Sequence, residues 1–145
     1  MRAVVQRSRD ASVTVDGAVV GAFVGPGLVV LVGVTHDDTA ARAVRLADKV
    51  YDLRIFDGPS EVSASDLELP VLVISQFTLY ADTRKGRRPT WEQAAPGPIA
   101  EPLVTAVVQR LIERGAQVST GVFGADMQVT LTNDGPMTII VDVTD

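Results

Sequence analysis

Apolar and polar positions change rhythm several times along the chain, and each change marks a predicted element. Ser12-Val13-Thr14-Val15 alternates strictly and runs into Asp16-Gly17, with Val19-Val20 beyond. Period-two alternation is the mark of a half-buried strand, and Asp-Gly favours a type I′ turn, so a β-hairpin is predicted. Leu28-Val29-Val30-Leu31-Val32-Gly33-Val34 is apolar throughout. Such a run predicts a strand covered on both faces, entered from a turn at Gly25-Pro26-Gly27. Asp37-Asp38-Thr39 then offers N-cap chemistry. Val44, Ala47, Val50 and Tyr51 follow at helical spacing, predicting a helix that ends near Leu53.

Arg54-Ile55-Phe56 reads as a short strand, and residues 60–70, rich in Ser, Glu and Asp, as an exposed loop. Val71-Leu72-Val73-Ile74 is a second buried strand that delivers Ser75-Gln76-Phe77-Thr78 at its end. Residues 81–93 are polar and basic, a long loop of the kind that often carries function. A second helix is predicted over 99–114, with Leu103, Val107 and Leu111 on one stripe. Pro102 is expected in its first turn and Gly115 at its C-terminal cap. Met127-Gln128-Val129-Thr130-Leu131-Thr132 alternates as a strand. Asn133-Asp134-Gly135-Pro136 reads as a turn from which 137–143 returns as another strand. About seven strands against two helices, several joined as hairpins, predict an α/β class of largely antiparallel sheets packed on helices, in one domain over 1–145.

Composition narrows the chemistry. The chain has 145 residues, 46% of them hydrophobic, enough for an ordinary core. It has no cysteine, which excludes disulfides, thiolate metal sites and a thiol nucleophile, and fits a reducing compartment. No apolar run approaches the roughly 18 residues of a membrane span, and no secretory signal is visible. A cytoplasmic protein without membrane contact is expected. The formal net charge is −5, so nucleic acid must be met by a local patch and no DNA partner is expected.

That patch is Arg84-Lys85-Gly86-Arg87-Arg88, with Tyr80 and Trp91 flanking it as aromatics able to stack on bases. It reads equally as a solvated loop. His36 is the only histidine, so a Ser-His-Asp triad or a metal site would have to use it. Its segment is better explained as the approach to a helix. No phosphate-binding glycine signature is present. Ser75-Gln76-Phe77-Thr78 places hydrogen-bonding groups at the end of a buried strand, where a rigid element can position them. Its backbone N–H groups could face an oxyanion, or the segment is simply a strand end. Thr78 would be a nucleophile only with a base in reach. Gly135-Pro136 is a plain turn or a cis bond, and sequence does not choose.

Together these segments resemble the bacterial-type D-aminoacyl-tRNA deacylases. The similarity runs nearly end to end. It includes Val5-Gln6-Arg7, Val32-Gly33-Val34-Thr35-His36-Asp37, Leu53-Arg54-Ile55-Phe56, Lys85-Gly86-Arg87-Arg88-Pro89 and Phe123-Gly124-Ala125-Asp126-Met127. The two signatures are Ser75-Gln76-Phe77-Thr78 and Asn133-Asp134-Gly135-Pro136-Met137-Thr138. The resemblance implies a three-layer β/β/α fold and a homodimer; no cofactor or metal is expected. It implies an ester hydrolase acting on the 3′-terminal adenosine ester of aminoacyl-tRNA. Ser75, Gln76, Phe77 and Thr78 would line the catalytic pocket. Gly135-Pro136, cis, would reach into the partner subunit's pocket and exclude L side chains, with Asn133 and Thr138 beside it. Phe123 and Met127 would form the adenine side, and Arg84, Lys85, Arg87 and Arg88 would meet tRNA phosphates. Two other readings compete: a deacylase with relaxed chirality, and a tRNA-binding module whose pocket is vestigial.

Overall fold

The computed structural model describes residues 1–145. Its longest feature is the predicted hairpin. Asp16 and Gly17 take positive φ, 49° and 80°, and Val15 pairs with Ala18, as a type I′ turn requires. The hairpin joins β1 (Arg2–Val15) to β2 (Ala18–Gly33). Gly25-Pro26-Gly27 does not precede β2 as a turn; it lies within it. Pro26 pairs with Arg9 beside a register shift, where Asp10 and Gly25 adopt φ of 53° and 77° and the Asp10 carboxylate accepts the Gly25 N–H at 2.7 Å. A bulge of this kind bends the ribbon.

Five strands form one mixed sheet in the order β6 (Val118–Thr120), β5 (Val71–Ser75), β2, β1, β7 (Gln128–Asp142). The long pairings β2·β1 and β1·β7 are antiparallel, whereas β5 and β6 add parallel pairs. Beyond the bulge the ribbon folds back over this sheet. Ser119 Oγ on β6 donates to the Ala22 carbonyl of β2 at 3.1 Å, although β5 separates these strands in the sheet. Ala11, Val13 and Phe23 of the folded-back part bury against Val29, Leu72 and Ile74. Alternate residues, Leu28, Val30, Val32, Val71 and Val73, face the other way, into the core shared with both helices. The result is three layers, β on β on α, as the resemblance implies.

α1 (Ala40–Asp52) starts where expected, but Thr39 alone is the cap; its hydroxyl accepts the Arg42 N–H. Asp38 is instead buried, bound to the Met1 ammonium at 2.7 Å and to Arg42 at 3.1 Å. The buried stripe is Ala43, Leu46, Ala47, Val50 and Tyr51. Val44, expected on that face, is 37% exposed, because it stands one residue round the helix from Ala43. α2 (Gly97–Glu113) begins two residues earlier than expected. Pro102 therefore sits inside the helix, past its first turn. The helix bond it forgoes would go to Pro98, whose exposed position leaves that carbonyl open to water. Gly115, φ 92°, closes the helix: its N–H and that of Ala116 bond back to Ile112 and Leu111. Neither helix is long and apolar enough to cross a membrane.

Two loop readings change. β3 (Arg54–Phe56) pairs with β4 (Val62–Ser63), so residues 60–70 are not all exposed. Ser63 and Ala64 are buried, and Ser63 N–H donates to Asp66. The turn expected at 133–136 is absent as well, because β7 runs through it.

Candidate active site

Val32 of β2 pairs with Ser75 of β5, and the Gln76 N–H donates to the Val32 carbonyl at 2.8 Å. The chain then tightens into a 3₁₀ turn, Phe77–Tyr80. Its bonds run from Leu79 N to Gln76 O and from Ala81 N to Thr78 O, so the N–H groups of Phe77 and Thr78 have no acceptor inside the turn. From below, Arg2 donates to the Leu79 carbonyl at 3.1 Å, lies 5.2 Å from the Tyr80 ring centre, and pairs with Asp142 at 2.7 Å. Burial pushes the Tyr80 phenol up to about 12.

This turn borders a cleft of about 410 Å³. Ser75, Gln76 and Phe77 form one wall, Phe123 and Met127 another, and Ala95, Gly97 and Ala100 at the start of α2 a third. A neighbouring depression of about 300 Å³ shares Ser75, Phe123 and Met127 and extends along α2 past Glu101. Two segments far apart in sequence, both singled out above, thus face each other. Thr78 does not line the cleft. Its hydroxyl is half-buried and accepts a hydrogen bond from the Gln76 amide. His36 is elsewhere, its Nε2 on the Glu92 carbonyl at 2.6 Å. No three His, Asp or Glu side chains are grouped so that they could hold a metal ion.

Asn133, Gly135, Pro136 and Thr138 lie apart from the cleft on β7, the sheet's edge. Here the expected turn is overturned. β7 does not reverse at 133–136; it pairs with β1 on both sides, Ser8 with Asn133 and Gln6 with Thr138. Residues 134–137 bulge out opposite the single residue Arg7, and a strand bonded to one neighbour before and after a bulge cannot turn back. The Gly135-Pro136 bond is cis and both residues are exposed.

Arg7 holds this bulge. It is 7% exposed, and donates to the carbonyls of Asp134 at 2.9 Å, Ile55 at 2.6 Å and Gly135 at 3.4 Å. Asn133 Nδ2 completes the frame through the Arg7 and Met137 carbonyls, at 3.0 and 3.1 Å, and Thr138 Oγ1 donates to Asn133 Oδ1 at 3.4 Å. Arg7 was not among the residues given a role from sequence. A buried arginine is visible only once its carbonyl partners are assembled.

The basic loop is exposed throughout, and an Asp82–Thr90 pair of backbone bonds closes its stem. Arg84 is tied to Asp82 at 2.7 and 2.9 Å, which holds that carboxyl down at about 2. Lys85, Arg87 and Arg88 form no ion pair, so three of the four expected cations remain open to a phosphate.

Comparison with known proteins agrees with the layout. The family model described as D-Tyr-tRNA(Tyr) deacylase matches residues 4–142. The chain is 61% identical to a D-aminoacyl-tRNA deacylase of Cutibacterium acnes, covering 100% of this chain and 99% of that one. It is 63% identical to one of Streptomyces coelicolor, covering 99% and 100%. Among solved structures, the c-Myc DNA Unwinding Element Binding Protein superposes with a TM-score of 0.91 at 36% identity over the whole of both chains. A probable eukaryotic D-amino acid tRNA deacylase, 17% identical over 98% of each chain, shares the fold with a TM-score of 0.86. The match extends through both signature segments and every layer of the fold, and this chain belongs to the D-Tyr-tRNA(Tyr) deacylase family.

Proposed function

We propose that the chain, acting as one unit over 1–145, hydrolyses the ester joining a D-amino acid to the 3′-terminal adenosine of tRNA, while sparing L-aminoacyl-tRNA. The observation that carries this reading is the division of the two signatures. Residues 75–77 line a cleft with Phe123 and Met127, while Gly135-Pro136 is held outward by Arg7. A rigid exposed bulge that cannot serve its own cleft is suited to serve a partner's. In a homodimer, its carbonyl oxygens would receive the substrate's α-amino group. A D side chain would then point to solvent, and an L side chain would meet backbone. Rejection by clash reads the stereocentre, not the side chain, so many D residues and glycine, including glycyl-tRNA(Ala), should pass.

The chemistry needs little from side chains. Water attacks the ester carbonyl, the developing oxyanion meets N–H groups of the Phe77–Tyr80 turn, and the 3′-oxygen leaves with a proton. Each such donor is worth about 10²–10³ in rate. The adjacent 2′-hydroxyl of the RNA assists the proton transfer. The side chain bonded to the Thr78 hydroxyl is the Gln76 amide, which cannot act as a base, and that disfavours a covalent route. One relative is named for binding a DNA element; here the net charge of −5 and a single short basic loop favour an RNA end over duplex DNA. The absence of cysteine suits the cytoplasm.

The test is hydrolysis of D-tyrosyl-tRNA against L-tyrosyl-tRNA, with a Gly135→Ala/Pro136→Ala variant alongside. Loss of only the D ester, with activity or selectivity gone in the variant, is expected. Equal hydrolysis of both esters would favour a relaxed deacylase, and hydrolysis of neither a binding module. A monomer by light scattering at micromolar concentration would sink the cross-subunit account.

A further inference from the structure

We propose that Phe77 and Trp91 form a stacking platform for the unpaired nucleotides that precede the terminal adenosine, with Lys85, Arg87 and Arg88 taking their phosphates. The inference rests on the deacylase reading and adds to it a second subsite, for single-stranded RNA outside the cleft.

The two rings stand 5.3 Å apart, edge to face at 72°. Both are large apolar groups left in water, Phe77 53% and Trp91 42% exposed. Neither is needed to close the core, so their exposure points to a ligand. Phe77 also lines the cleft. A cleft of about 410 Å³ is sized for one small ligand. A polynucleotide leaving it across this wall therefore passes over Phe77 and then Trp91. Base stacking on aromatic rings ignores base identity, as a subsite serving many tRNAs requires.

The platform is held in place beforehand. Thr35 Oγ1 donates to the Gln93 carbonyl at 2.5 Å, and His36 binds that of Glu92 at 2.6 Å. Ala94 N–H returns to the Trp91 carbonyl at 3.0 Å, and Ala95 N–H to that of Val34 at 2.9 Å. These ties give His36 a job: it fixes the segment that carries Trp91. Thr90, next to Trp91, closes the stem of the basic loop against Asp82, so residues 83–89 extend from the platform's edge. Asp82 is consumed by Arg84, whereas Lys85, Arg87 and Arg88 form no ion pair. Aromatic faces beside unpaired cations are the combination that binds single strands without reading sequence.

Trp91 is the sole tryptophan, so its emission reports this site alone. Wild-type protein, Trp91→Ala and Trp91→Phe would be given D-tyrosyl esters of adenosine and of the trinucleotide cytidyl-cytidyl-adenosine. Trp91→Ala should lower kcat/KM for the trinucleotide ester about 5- to 150-fold, through KM, and leave the adenosine ester unchanged. Trp91→Phe should retain most of the preference. The unacylated trinucleotide should quench wild-type emission saturably, and adenosine far less. Equal loss on both esters would make Trp91 a support of the cleft and overturn the proposal, as would no loss on either or no quenching. Hydrolysis of neither ester by the wild type would instead overturn the deacylase reading, and quenching would still judge the platform.

Discussion

Replacing Arg7 with Met should cost both stability and chiral selectivity. Methionine keeps the apolar stem and removes the guanidinium head. The Ile55 carbonyl then loses a 2.6 Å charge-assisted bond in a place only 6% exposed, where water cannot replace it. Such a loss is worth about 1.5–3 kcal/mol. The Asp134 carbonyl loses a 2.9 Å bond but sits on an exposed bulge, so rehydration limits that loss to about 0.5–1 kcal/mol. The Gly135 contact at 3.4 Å is too long to add much. The sum, about 2–4 kcal/mol, predicts a melting temperature roughly 5–15 °C lower, or the matching shift in urea midpoint at fixed protein concentration. Freed from its anchor, the bulge should no longer hold its carbonyls within an ångström of their working position. The ratio of kcat/KM for D- over L-tyrosyl-tRNA should fall about ten- to a hundred-fold. A variant that unfolds within about 0.5 kcal/mol of wild type and keeps its D-over-L ratio would mean that Arg7 does not hold the bulge.

Other outcomes follow from the same geometry. Thr78→Ala should keep kcat within about tenfold of wild type, against a loss of roughly 10⁴ or more for a removed nucleophile, and esters of 2′-deoxyadenosine should be inert. Burial raises both tyrosines, Tyr80 to about 12, so the folded protein should show little phenolate absorbance at pH 10. Unfolded phenols ionise near 10, so this contribution to stability is intact below about pH 10 and is lost between about 10 and 12; a native titration midpoint at 10 would contradict it. Arg84→Ala should return the Asp82 carboxyl from about 2 towards 3.8 in a carboxyl NMR titration. In the wild type the pair's contribution is present above about pH 4 and lost as pH falls through about 2.

Local signals were legible where local forces decide. Asp16-Gly17 specifies its turn because positive φ is cheap there, and Gly115 ends α2 for the same reason. The uninterrupted apolar runs at Leu28 and Val71 read as strands covered on both faces, and they are. The signature residues 75–78 and 133–138 were visible as types in an order, enough to place the chain in its family. What the sequence left open depended on partners distant in the chain. Asn133-Asp134-Gly135-Pro136 has turn composition, yet pairing with β1 on both sides makes it a bulge on a continuing strand. Gly25-Pro26-Gly27 likewise became a bend inside β2, because Arg9 pairs with Pro26 across it. Arg7 gained its role, and Val44 lost its own, only when carbonyls and neighbouring helices were packed around them. By itself the sequence determined the elements, the layers they imply and the candidate residues, since period, cap and turn energies act within a few residues. Tertiary structure alone decided that Ser75 and Phe123 line one cleft and that Gly135-Pro136 lies outside it. Those relations are set by strand order and by a folded-back ribbon, whose energies come from contacts between residues far apart in the chain.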